Sequence, residues 1–224
     1  MRILVMTALL IAINLPANAA PIVIRNINGS TVKYSIPNGY VDTRIANPRA
    51  FSKVSQLLAS NGTELLSFFA PIIEADVYDE YQEYFSVRIT KYSKSRRSTE
   101  RDIAELSRQF KNDTNLSGYG SNDKIRTEAN TAIGKIRSDL LVKHRMPLGL
   151  IYDDKFAIST VTATKLEIDG TEVPGLSTLA MVLLSDKIIS FSAYRLLQSP
   201  SDIQRIENDT VQWIEQSLRA SRRK

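Results

Sequence analysis

Residues 177–197 read STLAMVLLSDKIISFSAYRLL, and this stretch decides the fold. It divides into two apolar segments, 177–185 and 187–197, which meet at Ser185-Asp186. Runs rich in apolar and β-branched residues on both sides of a short polar pair are typical of antiparallel strands joined by a tight turn. We therefore expect a β-hairpin here.

The sequence that follows this hairpin predicts a long helix. Ser201 and Gln204 have the spacing of a capping box, in which two side chains satisfy the free N–H groups at a helix start. Apolar residues then recur at helical spacing, and Trp213 flanks them. They are Ile203, Ile206, Ile214 and Leu218. This helix is expected to pack on the sheet.

The sequence before the hairpin predicts further antiparallel strands. Segments 148–152 and 156–168 are separated by Asp153-Asp154, and Asp169-Gly170 is the next turn, so four sequential strands form a meander. Near the N-terminus, Asn28-Gly29 is a strong hairpin-turn pair. From Phe85 onward, apolar and polar residues alternate, as in a strand with one face in water. The additional strands are expected at 22–27, 31–36, 63–70 and 85–90.

Helical periodicity appears in three further places. An amphipathic helix is expected at 49–59, and a second begins near Ser98-Thr99, whose hydroxyls can cap it. A third runs from about 123 to 141. Between these elements, 71–84 is expected to be an acidic loop and 112–123 a surface loop.

The order of these elements favours a single α+β domain over residues 20–224, with a mainly antiparallel sheet flanked by helices. The hairpin from Met181 onward, the sequence Ser199-Pro200-Ser201-Asp202 and the helix carrying Trp213 resemble the closing unit of the PsbP-like fold. The resemblance covers the C-terminal part of the chain. It implies an α/β sandwich and a scaffold or binding role, and it carries no site residues to this sequence.

The first 19 residues have the three parts of a secretory signal peptide. Arg2 supplies a positive charge, residues 3–15 are apolar, and Ala17-x-Ala19 is typical of a cleavage site. We expect cleavage after Ala19, with an uncleaved anchor as the alternative, and no transmembrane span after cleavage. The chain has no cysteine, so lipid attachment at a first mature cysteine is excluded. A periplasmic location follows as an expectation.

The chemistry-bearing residues form no recognised catalytic or cofactor motif. The one histidine, His144, lies between two cations, which disfavours a metal ion there. The sequence lacks a Gly-x-Ser-x-Gly nucleophile elbow and the glycine-rich loops that bind phosphates. Acidic residues of the 71–84 loop lack calcium-site spacing, and we expect neither a metal nor a cofactor. These residues are Glu74, Asp76, Asp79 and Glu80.

The candidate binding residues are basic. The chain carries a net charge of +5, and its cations concentrate in a patch consisting of Arg88, Lys91, Lys94, Arg96 and Arg97. Tyr92 lies among them, and the C-terminal tail adds Arg219, Arg222, Arg223 and Lys224. Such a patch attracts an anionic partner, namely an envelope polymer, a lipid headgroup or an acidic protein face. The alternative is a solvated loop that favours solubility. No nucleic-acid-binding signature accompanies it.

Three functions remain open from the sequence. The favoured one is an exported binding or accessory module that acts through surface contacts. The second is an exported hydrolase in which carboxylates such as Asp153 or Glu74 transfer protons. The third is an envelope protein that binds anionic lipid through the basic loop and tail.

Overall fold

The computed structural model describes residues 20–59, 62–72, 82–112 and 140–223. The predicted signal peptide, the acidic residues at 74–80, most of the 112–123 loop and nearly all of the predicted 123–141 helix therefore lie outside the described residues. The elements are β1 (Ile22–Ile27), β2 (Ser30–Ser35), β3 (Tyr40–Asp42), α1 (Thr43–Ala46), α2 (Pro48–Ala59), β4 (Thr63–Pro71), β5 (Glu83–Thr90), α3 (Lys91–Ser95), α4 (Glu100–Asn112), β6 (Leu140–Asp153), β7 (Ala157–Ile168), β8 (Thr171–Leu184), β9 (Lys187–Leu196) and α5 (Ser201–Arg222).

A seven-stranded antiparallel sheet with the order β3-β4-β5-β9-β8-β7-β6 forms the centre of the molecule. The predicted meander is confirmed as β6 to β9, and β5 pairs with β9 to join it to the N-terminal strands. The α+β class with a mainly antiparallel sheet is thereby confirmed.

The β1–β2 hairpin forms a separate two-stranded sheet. Asn28 and Gly29 have φ values of 47° and 84°. A two-residue turn with both central residues in the left-handed region matches the twist of the strands, and Asn-Gly suits it best. Val32 and Tyr34 of β2 are fully buried, so the hairpin covers part of the main sheet.

Helix α5 packs beside the hairpin on the same face, and Trp213 is at the centre of this core rather than at its flank. The Trp213 ring stacks on Phe191 at 4.2 Å between centroids and meets Phe85 edge-on at 5.0 Å. Its indole Nε1 donates to the carbonyl oxygen of Ser35 at 2.7 Å. One side chain thus links α5, β2, β5 and β9, so its truncation would leave a large cavity.

Helices α2 and α4 cover parts of the opposite face. Helix α2 packs on β4, and α4 packs on β7 and β8 through Ile103, which contacts Leu183 and Ile188. The expectation of a water-exposed face on β5 is wrong, because Ser86 is only 4% exposed. The sheet is covered on both sides there, and its small polar residues are buried.

Three local expectations also differ from the structure. Strand β6 begins at Leu140, so the predicted helix does not extend to 141, and His144 is an exposed strand residue rather than a helix-to-strand junction. The short helix α3, capped by Thr90, is not among the predicted elements. At the start of α5, the capping box of Ser201 and Gln204 does not form. Instead, the Asp202 carboxylate accepts from the backbone N–H of Gln198 and of Ser199.

Candidate functional site

The predicted basic patch lies at the end of the sheet where β5 ends and β9 begins. The backbone there folds around the buried Lys187, which is 3% exposed. Its Nζ donates to the carbonyl oxygens of Lys94 at 3.3 Å and Arg96 at 2.7 Å. The Asn28 side-chain amide in the β1–β2 turn also donates to the carbonyl oxygen of Lys94, at 3.0 Å. These contacts fix the conformation of residues 91–97.

The side chains of this segment lie on the surface, and most pair with carboxylates. Lys94 pairs with Glu64 at 2.6 Å, Arg96 pairs with Asp102, and Arg97 pairs with Asp186 at 3.3 Å. The Lys91 ammonium has no side-chain partner among the described residues. Exposed pairs of this kind are weak and exchange readily with other anions.

The fifth predicted residue, Arg88, does not share this surface. It is half-buried on the sheet, where its guanidinium donates to the Ser192 hydroxyl at 2.5 Å. Burial lowers the pKa of Arg88, since desolvation disfavours the charged form. The structure therefore brings four of the five predicted residues together and places Arg88 apart.

The C-terminal end of α5 adds cations to the same end of the sheet. The Arg222 guanidinium lies 4.5 Å from the centroid of the Phe156 ring, and the Lys155 ammonium lies 4.7 Å from it. Lys155 also pairs with Glu100 of α4 at 3.5 Å. The backbone carbonyl of Arg223 accepts from Lys33 of β2 at 2.8 Å. We call this surface the basic end, and it consists of Lys91, Lys94, Arg96, Arg97, Lys155, Arg222 and Arg223.

An exposed aromatic ring lies within the basic end. Tyr92 is 67% exposed, and the Arg96 guanidinium lies over its ring at 4.9 Å. An aromatic residue among cations gives the surface both charge and an amphipathic contact, which suits a boundary between water and a less polar medium.

Of the two carboxylates suggested for hydrolysis, Glu74 lies outside the described residues, and Asp153 is held by two side chains. Asp153 accepts from the Lys111 ammonium and from the Ser107 hydroxyl, the latter at 2.8 Å. These two bonds lower the pKa of Asp153, so near neutral pH it is ionised and cannot act as a proton donor. Within the described ranges, no group of three or more His, Cys, Asp or Glu side chains is placed to hold a metal ion.

A polar cleft lies at the opposite end of the sheet, where β5 begins and β9 ends. Arg195 donates from Nε to Glu83 at 2.7 Å and from a terminal nitrogen to Asp209 at 3.0 Å. The Tyr40 hydroxyl donates to the other oxygen of Glu83 at 2.6 Å. Burial, and then this bond to Glu83, raises the pKa of Tyr40. We call this set the cleft end.

The amino-acid sequence alone does not predict the cleft end. Its four residues are far apart along the chain and form no motif. One signal is present, because Arg195 follows Phe191 and Ala193 at the alternating positions of β9 that are buried. A cation at a core-facing strand position requires partners, and here they come from β5 and α5.

Comparisons with known proteins show only a distant likeness in fold. No family model and no curated protein matches the chain. The solution structure of cyanobacterial PsbP (CyanoP) from Synechocystis sp. PCC 6803 has a TM-score of 0.37 at 14% identity, covering 81% of this chain and 84% of that one. A point mutant of the protein Mog1 has a TM-score of 0.40 at 10% identity, covering 89% of this chain and 94% of that one. The Saccharomyces cerevisiae Ran-binding protein Mog1p has a TM-score of 0.38 at 9% identity, covering 90% of this chain and 94% of that one.

The expected PsbP-like resemblance is thus confirmed as a weak similarity. At these scores the likeness carries no argument about ligand or partner. Among the described helices, none is both long and apolar enough to cross a lipid bilayer.

Proposed function

We propose that this chain is a periplasmic binding module, exported with cleavage after Ala19, that docks on an anionic envelope surface through its basic end. One observation carries the proposal: α3, the β6–β7 turn and the end of α5 bring cations from three separate parts of the chain to one end of the sheet. The basic patch and the tail, which the sequence places far apart, then act as one surface.

The dimensions and charges suit such a surface. From β5 to β7 there are three strand spacings, so the basic end is about 15 Å wide. Lys91, Arg222 and Arg223 have no carboxylate partner among the described residues, and each Lys or Arg near an anionic membrane contributes about 1 kcal/mol. The attraction falls off within a Debye length of about 8 Å at physiological salt. Contact at this end of the molecule is therefore required.

Vesicle co-sedimentation of the exported protein tests the docking. We expect binding to vesicles containing phosphatidylglycerol at low salt, little binding to pure phosphatidylcholine, and loss of binding as salt rises. The double variant Lys91→Glu, Arg97→Glu should bind at least tenfold more weakly. Lys143→Glu with Lys165→Glu makes the same change in net charge away from the basic end and serves as the matched control.

Several outcomes would contradict the proposal. Equal losses in the two double variants would show that only net charge matters. Absence of vesicle binding at low salt, together with salt-sensitive binding to an acidic protein, would replace the membrane surface with a protein partner. N-terminal sequencing tests export: protein from the periplasmic fraction should begin at Ala20, and a mature form that begins at Met1 would refute cleavage.

A further inference from the structure

The cleft end forms a second candidate site, independent of the basic end. The start of β3, the end of β4, the start of β5, the end of β9 and the early turns of α5 line an open cleft of about 380 Å³. This volume lies at the lower end of the range of small-molecule sites, roughly 300–1,000 Å³. Its lining includes Asn38, Tyr40, Ile72, Arg195, Arg205 and Asp209.

One buried donor group of Arg195 has no partner within the described part of the chain. The Arg195 side chain is 8% exposed, and its Nε and one terminal nitrogen are held by Glu83 and Asp209. The other terminal nitrogen has no hydrogen-bond partner among the described residues. Guanidinium donors that are buried without an acceptor are unfavourable, so this group favours a ligand with an oxygen acceptor.

The charges of the cleft cancel. Glu83 and Asp209 balance Arg195 and the exposed Arg205, which also lines the cleft. An anionic ligand would meet the two carboxylates, and a cationic ligand would meet the two guanidinium groups. A site of this balance therefore favours a neutral ligand that both donates and accepts hydrogen bonds.

The remaining lining groups offer both kinds of hydrogen bond and an apolar wall. Asp209 accepts from Arg195 through one oxygen, and its side chain is 42% exposed, so a ligand in the cleft can reach it. Asn38 supplies an amide with donor and acceptor atoms. Ile72 is 61% exposed at the rim, and the Tyr40 ring is held edge-on against Phe85 at 4.7 Å.

We infer that the cleft binds a small neutral saccharide. Each hydroxyl group of a sugar donates one hydrogen bond and accepts others, which matches the mixed polar groups, while its C–H faces match Ile72 and Tyr40. The cavity volume admits a sugar of one or two rings. Arg195 and Asp209 supply the hydrogen bonds, and Glu83 holds Arg195 in position.

Titration followed by amide NMR tests this inference. The probes are N,N′-diacetylchitobiose, maltose and cellobiose at millimolar concentration, with glucuronate and glucosamine as the charged comparisons. At least one neutral sugar should shift the resonances of residues 38–40 and 205–209, and the charged sugars should bind at least fivefold more weakly. No shift by any neutral sugar at about 20 mM, or tighter binding of glucuronate, would overturn the inference.

Variants at two exposed lining residues keep the test separate from folding. Asn38→Ala with Arg205→Gln should weaken sugar binding at least tenfold while the NMR spectrum stays native-like. Arg219→Gln with Glu215→Gln, an i,i+4 pair on the same helix near its other end, should leave binding unchanged. Equal binding by both double variants would refute the site. Because this test uses neither vesicles nor the basic end, its failure would not affect the proposed docking.

Discussion

The two ends of the sheet use the same residue type in opposite ways. At the cleft end, Arg195 has a side chain that is 8% exposed and is held by two carboxylates. At the basic end, Arg97 has a side chain that is 89% exposed and pairs with one carboxylate at 3.3 Å. Removal of a partner is severe only where the remaining charges are buried, since water screens exposed charges. Stability is therefore expected to depend on the first arginine, and docking on an anionic surface on the second.

Arg195→Met should have the largest effect. It leaves Glu83 without its cation, and breaking such a buried pair costs about 3–5 kcal/mol. Because Asp209 is 42% exposed and partly solvated, we expect about 3 kcal/mol, measured by urea unfolding. Adding Glu83→Gln should recover part of the loss, because the stranded carboxylate is removed. A loss below about 1 kcal/mol would show that Arg195 contributes no more to stability than an exposed arginine does.

Gly175→Ala tests whether the sheet is tightly packed next to the cleft end, where Gly175 pairs with Leu196. A Cβ at Gly175 would lie 2.8 Å from the hydroxyl oxygen of Tyr194, whose ring stacks on Tyr84 at 5.2 Å. Forcing that ring aside should destabilise the fold by about 1–3 kcal/mol in urea unfolding. With Tyr194→Leu in the background, the additional loss should shrink. Additive losses would show that the clash is absent.

Asp202→Asn tests how the contribution of one carboxylate to stability depends on pH. Hydrogen bonds from the backbone N–H of Ser199, and then of Gln198, lower the pKa of Asp202. A lowered folded-state pKa contributes stability above the unfolded value of about 3.9, and this contribution is lost as pH falls through the folded value. The variant should therefore unfold at lower urea than the native chain at neutral pH, and the gap should close as the pH falls below about 3.9. A gap that is independent of pH would contradict the charge effect.

Arg97→Gln should have the smallest effect on stability. Its pair with Asp186 is exposed on the arginine side, so we expect a change within about 0.5 kcal/mol in urea unfolding. Vesicle binding should nonetheless weaken severalfold, because the basic end loses one cation. Arg108→Gln, which breaks an exposed pair with Glu105 on α4, is the control for stability. A large loss of stability at Arg97 would show that the pair is structural.

Local signals in the sequence predict much of the fold. The Asn28-Gly29 turn is predicted correctly because few residue pairs accept two left-handed conformations in succession. The meander follows from apolar segments separated by turn pairs. The pairing of β5 with β9 is not predictable in this way, since it joins residues about a hundred positions apart without a local signal.

The two candidate sites differ in the same way, since one depends on neighbouring residues and the other on residues that are distant in the sequence. The basic patch is contiguous, so its composition alone indicates it, although burial of Arg88 requires knowledge of the sheet. The cleft end depends on Tyr40, Glu83, Arg195 and Asp209 meeting in space. The prediction for Trp213 is wrong because helical spacing cannot show that the β1–β2 hairpin closes over this side chain.

Lys187 gives the basic end a further property. Its ammonium lies beneath the surface and binds two backbone carbonyls of the segment that carries the exposed cations. The spacing between those cations is thus set by a residue that no docking partner touches. Replacing Lys187 with an uncharged side chain would leave the exposed residues of the basic end unchanged but alter the spacing of their charges. Recognition at the basic end therefore depends on a buried residue.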